Sequence, residues 1–373
     1  MDVAVDRSIE AIDRDEWNAL FPDEIEDWSY YRAVEQSGLA GFEWLYLSIR
    51  DRGRLRAAVP AFLTDYRLDT TLSGAAKRAT NAIARIAPRL FAIPMVSLGS
   101  PVAEVCHLGF AADGDANERR RLADALFARL LAFAAERRIG MIAVKDARGA
   151  DDALWSASCA NAGLRRMPGQ ATATLALPYR SLDGYLATLG AATRKDLRRK
   201  LRAREALRVE WRTDIDDVLP RIVELYRATL ANAEYQFEEL TPGYFAGVMR
   251  ESRGRALCAT YWLGDALIGF NLVLKNRDRL IDKFFGMDAA IGRAHNLYYL
   301  SWLENVRHCI DNGIAHYQSG QGLEREKLRL GSRLDPNWLW YRHRNPVVDR
   351  VFASVERAFR LDVPDTIAAK AAA

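Results

Sequence analysis

The run IGRAHNL (Ile291–Leu297) lies between a strand-like stretch, LIDKFFGMD (Leu280–Asp288), and a helix-like stretch that begins at Leu297. A helix starting there exposes backbone N–H groups that have no partner within the helix, and its dipole adds positive potential, so the junction suits a phosphate. Gly292 and Ala294 allow close approach of the backbone, Arg293 adds charge, His295 completes the loop and Asn296 is a good N-cap residue. The same residues also fit an ordinary strand–helix turn. Four carboxylates are candidate proton acceptors: Asp288 at the end of the strand, and Glu234, Glu238 and Glu239 in the loop ANAEYQFEELTP. Exposed carboxylates more often serve solubility. A second glycine-rich turn, Gly320-Gln321-Gly322, precedes Glu324, Arg325, Glu326 and Lys327. Gln321, Arg325 and Lys327 are candidates to meet a phosphate or a carboxylate, and a tight turn bearing surface charges is the competing interpretation.

Metal chemistry has no support in the spacing. Cys106, Cys159, Cys258 and Cys309 form no C-x-x-C pair, and the five histidines are scattered. Each cysteine is expected to pack as a small hydrophobe.

The elements that must position the candidate residues can be read from periodicity. LFARLLAFAAERRIGMIAVKDA (Leu126–Ala147) is a helix, a glycine stop at Ile139-Gly140 and a strand; LSWLENVRHCIDNGIAHYQSG (Leu300–Gly320) repeats that plan, with its stop at Asn312-Gly313. A hairpin precedes each: Trp44–Leu63 around Asp51-Arg52-Gly53, and Ala256–Asn276 around Gly264-Asp265, the latter continuing into Leu280–Asp288. Each half therefore reads β–β–(β)–α–β, a mixed sheet with helices packed on it, of α/β (α+β) class. Within FFGMD, alternation sets Phe285 and Met287 on the face opposite to Phe284 and Gly286. The first half also contains SGAAKRATNAIARIAPRLFAIPM, a possible amphipathic helix with Lys77, Arg78, Arg85 and Arg89 on its polar side, interrupted by Pro88 and Pro94. NPVVDRVFASVERAFR (Asn345–Arg360) has apolar residues at helical spacing and reads as a docking helix.

With 373 residues, half of them hydrophobic, the chain has room for two domains at about 100–200 residues each. The expected division is 1–178 and 179–373, the second opening with a basic helix over 183–206. Within it, Arg194–Arg204 has seven basic residues and one Asp, a net of +6, so against a total of +4 the remainder sums to −2. No apolar stretch approaches the length of a membrane span, and the N-terminal run has no basic and apolar leader, which sets the expectation of a cytoplasmic protein.

Three stretches carry a family resemblance. TRKDLRRKLRARE (Thr193–Glu205), the run from the Gly264-Asp265 hairpin through FFGMD to Tyr298, and YQSGQGLEREKLRLG (Tyr317–Gly331) resemble the second domain of FemAB-like (BioF2-like) proteins, the Fem-type tandem branch of the GNAT acyltransferases. IEAIDRDEWNALFPDEIEDWSYYRAVEQSG resembles the start of such chains. The chain departs from the pattern at Gln318-Ser319, where the family often has Asp or Asn before Gly-x-Gly. It also lacks the first polar position of the GNAT pyrophosphate signature, retained only as Ala289-Ala290-Ile291-Gly292-Arg293-Ala294.

The resemblance implies tandem GNAT-like domains, an acceptor-side N-terminal one and a donor-side C-terminal one. It implies N-acyl transfer from an acyl thioester, with acyl-CoA as co-substrate and no tightly bound cofactor, to a small-molecule amine. Such a site must hold the donor, accept the amine's proton and stabilise an oxyanion. Asp288 and Glu234 are the expected catalytic carboxylates, residues 292–296 the donor-holding loop, and Glu238, Gln321, Arg325 and Lys327 the substrate-binding residues. Transfer RNA or an acyl-carrier protein as donor partner, and a GNAT scaffold that binds without catalysing, remain the alternatives.

Overall fold

The computed structural model of the protein describes residues 2–67, 92–232, 237–350 and 352–353. Its strands are β1 (Asp2–Asp6), β2 (Phe42–Asp51), β3 (Arg54–Arg67), β4 (Ala92–Leu98), β5 (Gly109–Phe110), β6 (Met141–Arg148), β7 (Arg165–Pro168), β8 (Thr172–Ala176), β9 (Arg208–Arg212), β10 (Ala256–Leu263), β11 (Ala266–Lys275), β12 (Arg279–Met287), β13 (His316–Gly320), β14 (Arg333–Asp335) and β15 (Asn337–His343). Its α-helices are α1 (Arg14–Leu20), α2 (Trp28–Glu35), α3 (Ala116–Glu136), α4 (Asp152–Asn161), α5 (Leu182–Thr188), α6 (Ala191–Leu201), α7 (Leu219–Leu230), α8 (Pro242–Glu251), α9 (Ala289–Ala294), α10 (Leu297–Asp311) and α11 (Glu324–Arg329).

Two compact units result, each on its own mixed sheet, and neither is one continuous stretch of chain. The first takes Met1–Phe21, Gly41–Gln170 and the chain from Pro336; the second takes Pro22–Ala40 and Ala171–Asp335. A single boundary near 178 therefore misses two exchanges. β15 pairs with β6 and β7 and completes the first sheet, while residues 22–40, including α2, belong to the second unit. The first sheet runs β1-β2-β3-β4-β6-β15-β7 with β5 beside β3, and the second runs β14-β8-β13-β12-β11-β10-β9.

The expected repeat is present. β2-β3-β4-α3-β6 and β10-β11-β12-α10-β13 each combine antiparallel neighbours with one helical crossover into a parallel pair, β4 with β6 and β12 with β13. In the first unit Leu47, Val59, Val96 and Val144 of the sheet pack on Leu126 and Leu130 of α3 and Trp155 of α4. In the second, Leu175, Val273, Leu280 and Tyr317 pack on Trp302, Leu303 and Val306 of α10 and on Leu186 and Leu197 of α5 and α6. Gly269 makes this packing possible, because a Cβ there would lie 2.4 Å from Leu297 at the head of α10. All four cysteines are buried, and burial pushes the Cys258 thiol up to about 12.

Several elements differ from the sequence reading. The basic stretch is no single helix: α5 ends, Leu189 and Gly190 are extended, and α6 starts afresh and decays into a 3-10 turn over Arg202–Ala206. The first glycine stop is displaced, since Arg138, not Gly140, takes the left-handed conformation at φ 56°, with Ile139 N–H donating to Ala134 O at 2.8 Å. Of the amphipathic run 73–95, residues 92–95 open strand β4 and the rest lies outside the described residues. Residues 346–350 are helical, whereas most of the remaining expected C-terminal helix lies outside them. Among the described residues no helix is long and apolar enough to cross a membrane.

Residues 22–40 join the second unit through matched charges. Glu24 accepts from Arg279 at 2.9 Å, Asp27 from Arg255 at 2.8 Å, and Arg32 donates to Glu251 at 2.9 Å. Between them Glu26 pairs with Lys283, both side chains almost fully buried at 5% and 3% exposure. The Lys283 ammonium also lies 5.1 Å from the Tyr30 ring centre, and Tyr30 shares a 3.1 Å hydroxyl contact with Tyr244 of α8. Removing one partner of a buried pair leaves an uncompensated charge and costs about 3–5 kcal/mol, whereas removing both is far milder. Glu26→Gln should therefore lower the unfolding free energy by about that much, and Glu26→Leu combined with Lys283→Met should recover most of the loss. Denaturant titration of the two variants checks this, and additive losses would contradict it.

Candidate functional site

In the second sheet, β12 and β13 run parallel over three residue pairs only, Arg279, Leu280 and Ile281 against His316, Tyr317 and Gln318. From Asp282 onward β12 has no strand on that side, although it stays paired with β11 to Met287. The two strands diverge and open a wedge in a seven-stranded sheet. Asp282, Phe284, Phe285 and Met287 are each part-exposed there, while β11 alongside is buried from Leu267 to Leu274.

A β-bulge marks the point of divergence. Val273 faces Asp282 and Leu272 faces Phe284, so Lys283 is the extra residue. Lys283 and Phe284 both project to the face of α2, α7 and α8: Lys283 reaches Glu26, and Phe284 meets Tyr226 and Tyr244 at ring distances of 6.1 and 5.7 Å. Asp282 and Phe285 project to the α10 face, Phe285 lying 6.2 Å from Tyr298. Phe285 and Phe284 thus take opposite faces, as alternation requires. Asp288 N–H donates to Ile268 O on β11 and Met287 N–H donates away from β11, to Thr229 Oγ1 at 3.0 Å. By the two-residue alternation of a strand, the N–H of Phe285 points the same way as that of Met287, toward the open edge.

The floor of the wedge is polar. Asp282 accepts from Asn271 Nδ2 at 2.5 Å, Tyr317 Oη at 2.8 Å and Asn305 Nδ2 at 3.3 Å. Asn305 Nδ2 also lies 2.6 Å from Asn271 Oδ1 and 3.0 Å from Tyr317 Oη. Asn271 and Asn305 are completely buried. Two further polar atoms, Asn305 Oδ1 and Tyr298 Oη, are buried with no hydrogen-bond partner. Asp282 forms no direct ion pair among the described residues, but the charges of Lys327 and Lys283, themselves bonded to carbonyls and to Glu26, both favour its ionised form. Burial raises the Asp282 pKa, opposed by the hydrogen bonds from Asn271 and Tyr317. The sequence signal for this cluster was a polar residue inside each of three apolar runs, Asn271 in IGFNLVL, Asp282 in LIDKFF and Asn305 in α10.

The residues expected from the sequence fall into distinct places. Asp288 is the N-cap of α9, its Oδ1 accepting from Ala290 N–H at 3.0 Å and Ile291 N–H at 2.9 Å. That carboxylate is occupied as a cap, which corrects its reading as a free proton acceptor. Gly292 N–H donates to Asp288 O at 2.8 Å, and a Cβ on Gly292 would lie 2.7 Å from Met287 Sδ. Of the expected donor-holding loop, residues 292–296, Gly292 to Ala294 therefore lie in a six-residue helix whose glycine serves packing. The next helix start differs: Asn296 takes the left-handed conformation at φ 54° and makes no side-chain capping bond to α10. Arg293 and Ala294 are exposed beside it, and His295 Nδ1 lies 3.0 Å from Ile291 O.

Lys327 is buried, and its ammonium donates to the carbonyls of Ser319, Gly320 and Gln321 at 2.7, 2.8 and 2.9 Å. It holds the turn after β13, which corrects its reading as a substrate ligand. Arg325 is exposed and Gln321 half-buried at the same turn. Glu238 is half-buried in the connection from α7 to α8, held by Leu240 N–H donating to Tyr226 Oη at 3.0 Å. Glu234 lies outside the described residues. Much of the basic stretch is internally paired: Arg194 donates to the carbonyls of Ala187 and Leu189, Arg204 to Glu304, and Lys200, Arg199 and Arg329 surround Asp196. The bonds from Lys200 and Arg199 hold the Asp196 carboxyl down to about 2. Among the described residues there is no cluster fit for a metal ion.

The raised pKa of Asp282 has a testable sign. Its protonated form favours the fold relative to the ionised one, an advantage fully present below the ordinary value of 3.8 and lost as pH rises through the raised value. The unfolding temperature of the wild type minus that of Asp282→Asn should therefore fall as pH rises from 3.8 through the raised value. Parallel pH curves for the two proteins would show that the carboxylate is not desolvated.

A family model described as an acetyltransferase (GNAT) domain matches residues 191–328, which hold the wedge, the bulge and α10. No curated protein matches the sequence. The C-terminal domain of a putative lysylphosphatidylglycerol synthetase from Agrobacterium fabrum superposes with a TM-score of 0.54 at 15% identity, covering 93% of this chain and 96% of that one. A tandem GNAT protein from the clavulanic acid biosynthesis pathway gives 0.53 at 15%, covering 92% and 98%, and FemX gives 0.56 at 11%, covering 91% and 97%. At such identities the likeness speaks for the fold, and it spans both units. Residues 191–328 thus match a GNAT acetyltransferase domain, and the fold of the chain as a whole is similar to that of a tandem GNAT protein and of FemX.

Proposed function

We propose that the second unit transfers an acyl group from an acyl thioester, with acyl-CoA as the donor, to an amine. The observation that carries this reading is the wedge between β12 and β13, a slot in the sheet with an unpaired strand edge along one wall and an uncapped helix start at its open end. Among the described residues the first unit shows no equivalent opening. There β4 and β6 pair from Met95 and Met141 to Leu98 and Val144, and the chain then folds back on β6: Cys106 N–H donates to Asp146 O, and Lys145 Nζ to Ala103 O, both at 2.8 Å. The donor side therefore belongs to the second unit in this reading.

The donor's phosphates rest on the first amides of α10, with Arg293 alongside. The thioester arm extends from them along β12, and the Phe285 N–H meets the carbonyl oxygen as negative charge develops on it. The amine approaches from the α7–α8 face. Its nitrogen forms the new C–N bond, the C–S bond breaks, and the amine's proton passes to a carboxylate, for which Glu238 is the described candidate; the thiolate leaves and is protonated to the free thiol.

Arg293→Glu tests the donor site without touching the fold, since the side chain is exposed. Calorimetric affinity for acetyl-CoA should weaken about tenfold, or roughly 1.4 kcal/mol, with an unchanged unfolding temperature. Unchanged affinity, or no acetyl-CoA binding by the wild type, removes the assignment.

A further inference from the structure

Resting on the donor reading above, we infer that the thioester also arrives on an acidic carrier protein, which docks on the exposed sides of α6 and α11 and threads a phosphopantetheine arm into the wedge. Two separate observations meet at one helix turn. The first is charge. Lys195, Arg198 and Arg202 are exposed, and among the described residues they make no ion pair or side-chain hydrogen bond, unlike Arg194, Arg199, Lys200 and Arg204. Spaced by three and four residues, they share one face of α6 over about 10 Å. The other side of that helix packs on α10. Leu197 lies in the core with Trp302 and Leu303, Leu201 packs against the cluster holding Leu297 and Leu300, and the Lys200 ammonium lies 3.2 Å from the Tyr299 ring centre. The stripe therefore begins, at Arg202, beside the first turn of α10, where the donor's phosphates rest.

The second observation is apolar. Leu323 and Leu328 are 61% and 49% exposed, one just before α11 and one within it. That helix is bound to the same turn of α10: Tyr299 Oη donates to Glu326 at 3.0 Å and accepts from Arg329 at 3.1 Å, and Arg329 also reaches Asp196 of α6 at 3.4 Å. Free CoA has no use for two leucines outside the wedge, and a nucleic-acid backbone is met by cations and hydrogen-bond donors. A protein surface uses both, burying the leucines while opposite charge around them sets the partner. On α11 Arg325 and Glu324 offset each other, so the stripe on α6 fixes the partner's sign as acidic. Three carboxylates on one face of a carrier helix span the same length of about 10 Å. A phosphopantetheine arm is rooted in a phosphodiester, so it sets a phosphate on the α10 amides as CoA does, with the protein body where the nucleotide would stand. Once the amine has formed its C–N bond and the C–S bond has broken, the thiol stays on the carrier's arm.

The probe is the acyl-carrier protein of bacterial fatty-acid synthesis, with and without its phosphopantetheine arm, titrated into the full chain by calorimetry. The arm-bearing form should bind about tenfold more tightly than the bare one, and its affinity should fall about tenfold between about 50 and 300 mM salt. The double variant Arg198→Glu/Arg202→Glu, and separately Leu328→Asp, should each weaken it about tenfold. Both should leave the affinity for acetyl-CoA within about twofold and the unfolding temperature unchanged, since all three side chains are exposed. Equal binding of the two carrier forms overturns the inference, as does a loss of acetyl-CoA affinity matching that of the carrier, or no carrier binding by a wild type that binds acetyl-CoA; each leaves the donor site standing. Binding of mixed transfer RNA that depends on Arg198 and Arg202, with no binding of the carrier, overturns it in favour of RNA. Failure of acetyl-CoA and of the carrier to bind overturns the donor site and the inference together.

Discussion

The site depends on where a parallel strand pair stops. β12 and β13 hold each other for three residues and then part, while β12 continues to Met287 as a neighbour of β11. Backbone groups on an unpaired strand edge inside a sheet are costly unless something replaces the ladder. Thr229 Oγ1 takes the Met287 amide from α7. The Phe285 amide is left pointing outward. A gap with one wall partly satisfied and one donor in reserve is what a ligand with a carbonyl oxygen needs.

The bulge at Lys283 gives the gap two chemically different sides. With one residue inserted, two neighbouring side chains share the α2–α7–α8 face, and Asp282 is aimed at α10. Lys283 is then anchored by Glu26, which comes from a segment distant in sequence, and Asp282 is anchored by Asn305 and Tyr317, from the helix and the strand that follow. Each charge is held on its own side of the strand.

The sequence made the repeated β–β–β–α–β plan legible, because helix and strand periods, glycine stops and hairpin turns are local signals. The hairpin at Gly264-Asp265, the strand through FFGMD and the helix from Leu297 stand where their patterns put them. The site was less legible. Asp288 and Lys327 are chemically apt residues near the right loops, but capping Ala290 and Ile291, and gathering three carbonyls, are tasks that only the folded backbone defines. Conversely, Asn271, Asp282, Asn305 and Tyr317 are far apart in sequence and become one cluster through strand register and helix packing. The exchanged ends were illegible for the same reason: β15 finds β6 by ladder bonds and residues 22–40 find β12 by ion pairs, and neither leaves a local trace.

The two copies of the plan show why opening a sheet and keeping it stable are separable tasks. In the first unit the parallel pair reaches the end of β4 and the chain returns at once, Gly99 N–H donating to Pro60 O and Cys106 N–H to Asp146 O, so the backbone groups at the strand ends are spent on the loop itself. Among its described residues that copy shows no slot. In the second unit the equivalent chain does not return; it forms the capped turn α9 and enters α10, Thr229 takes the Met287 amide left without a strand partner, and Asn271, Asn305 and Tyr317 bond the Asp282 side chain. Asn271, Asn305 and Tyr317 thus compose the floor of the wedge and fix its one carboxylate, while the strand edge beside it is satisfied from α7.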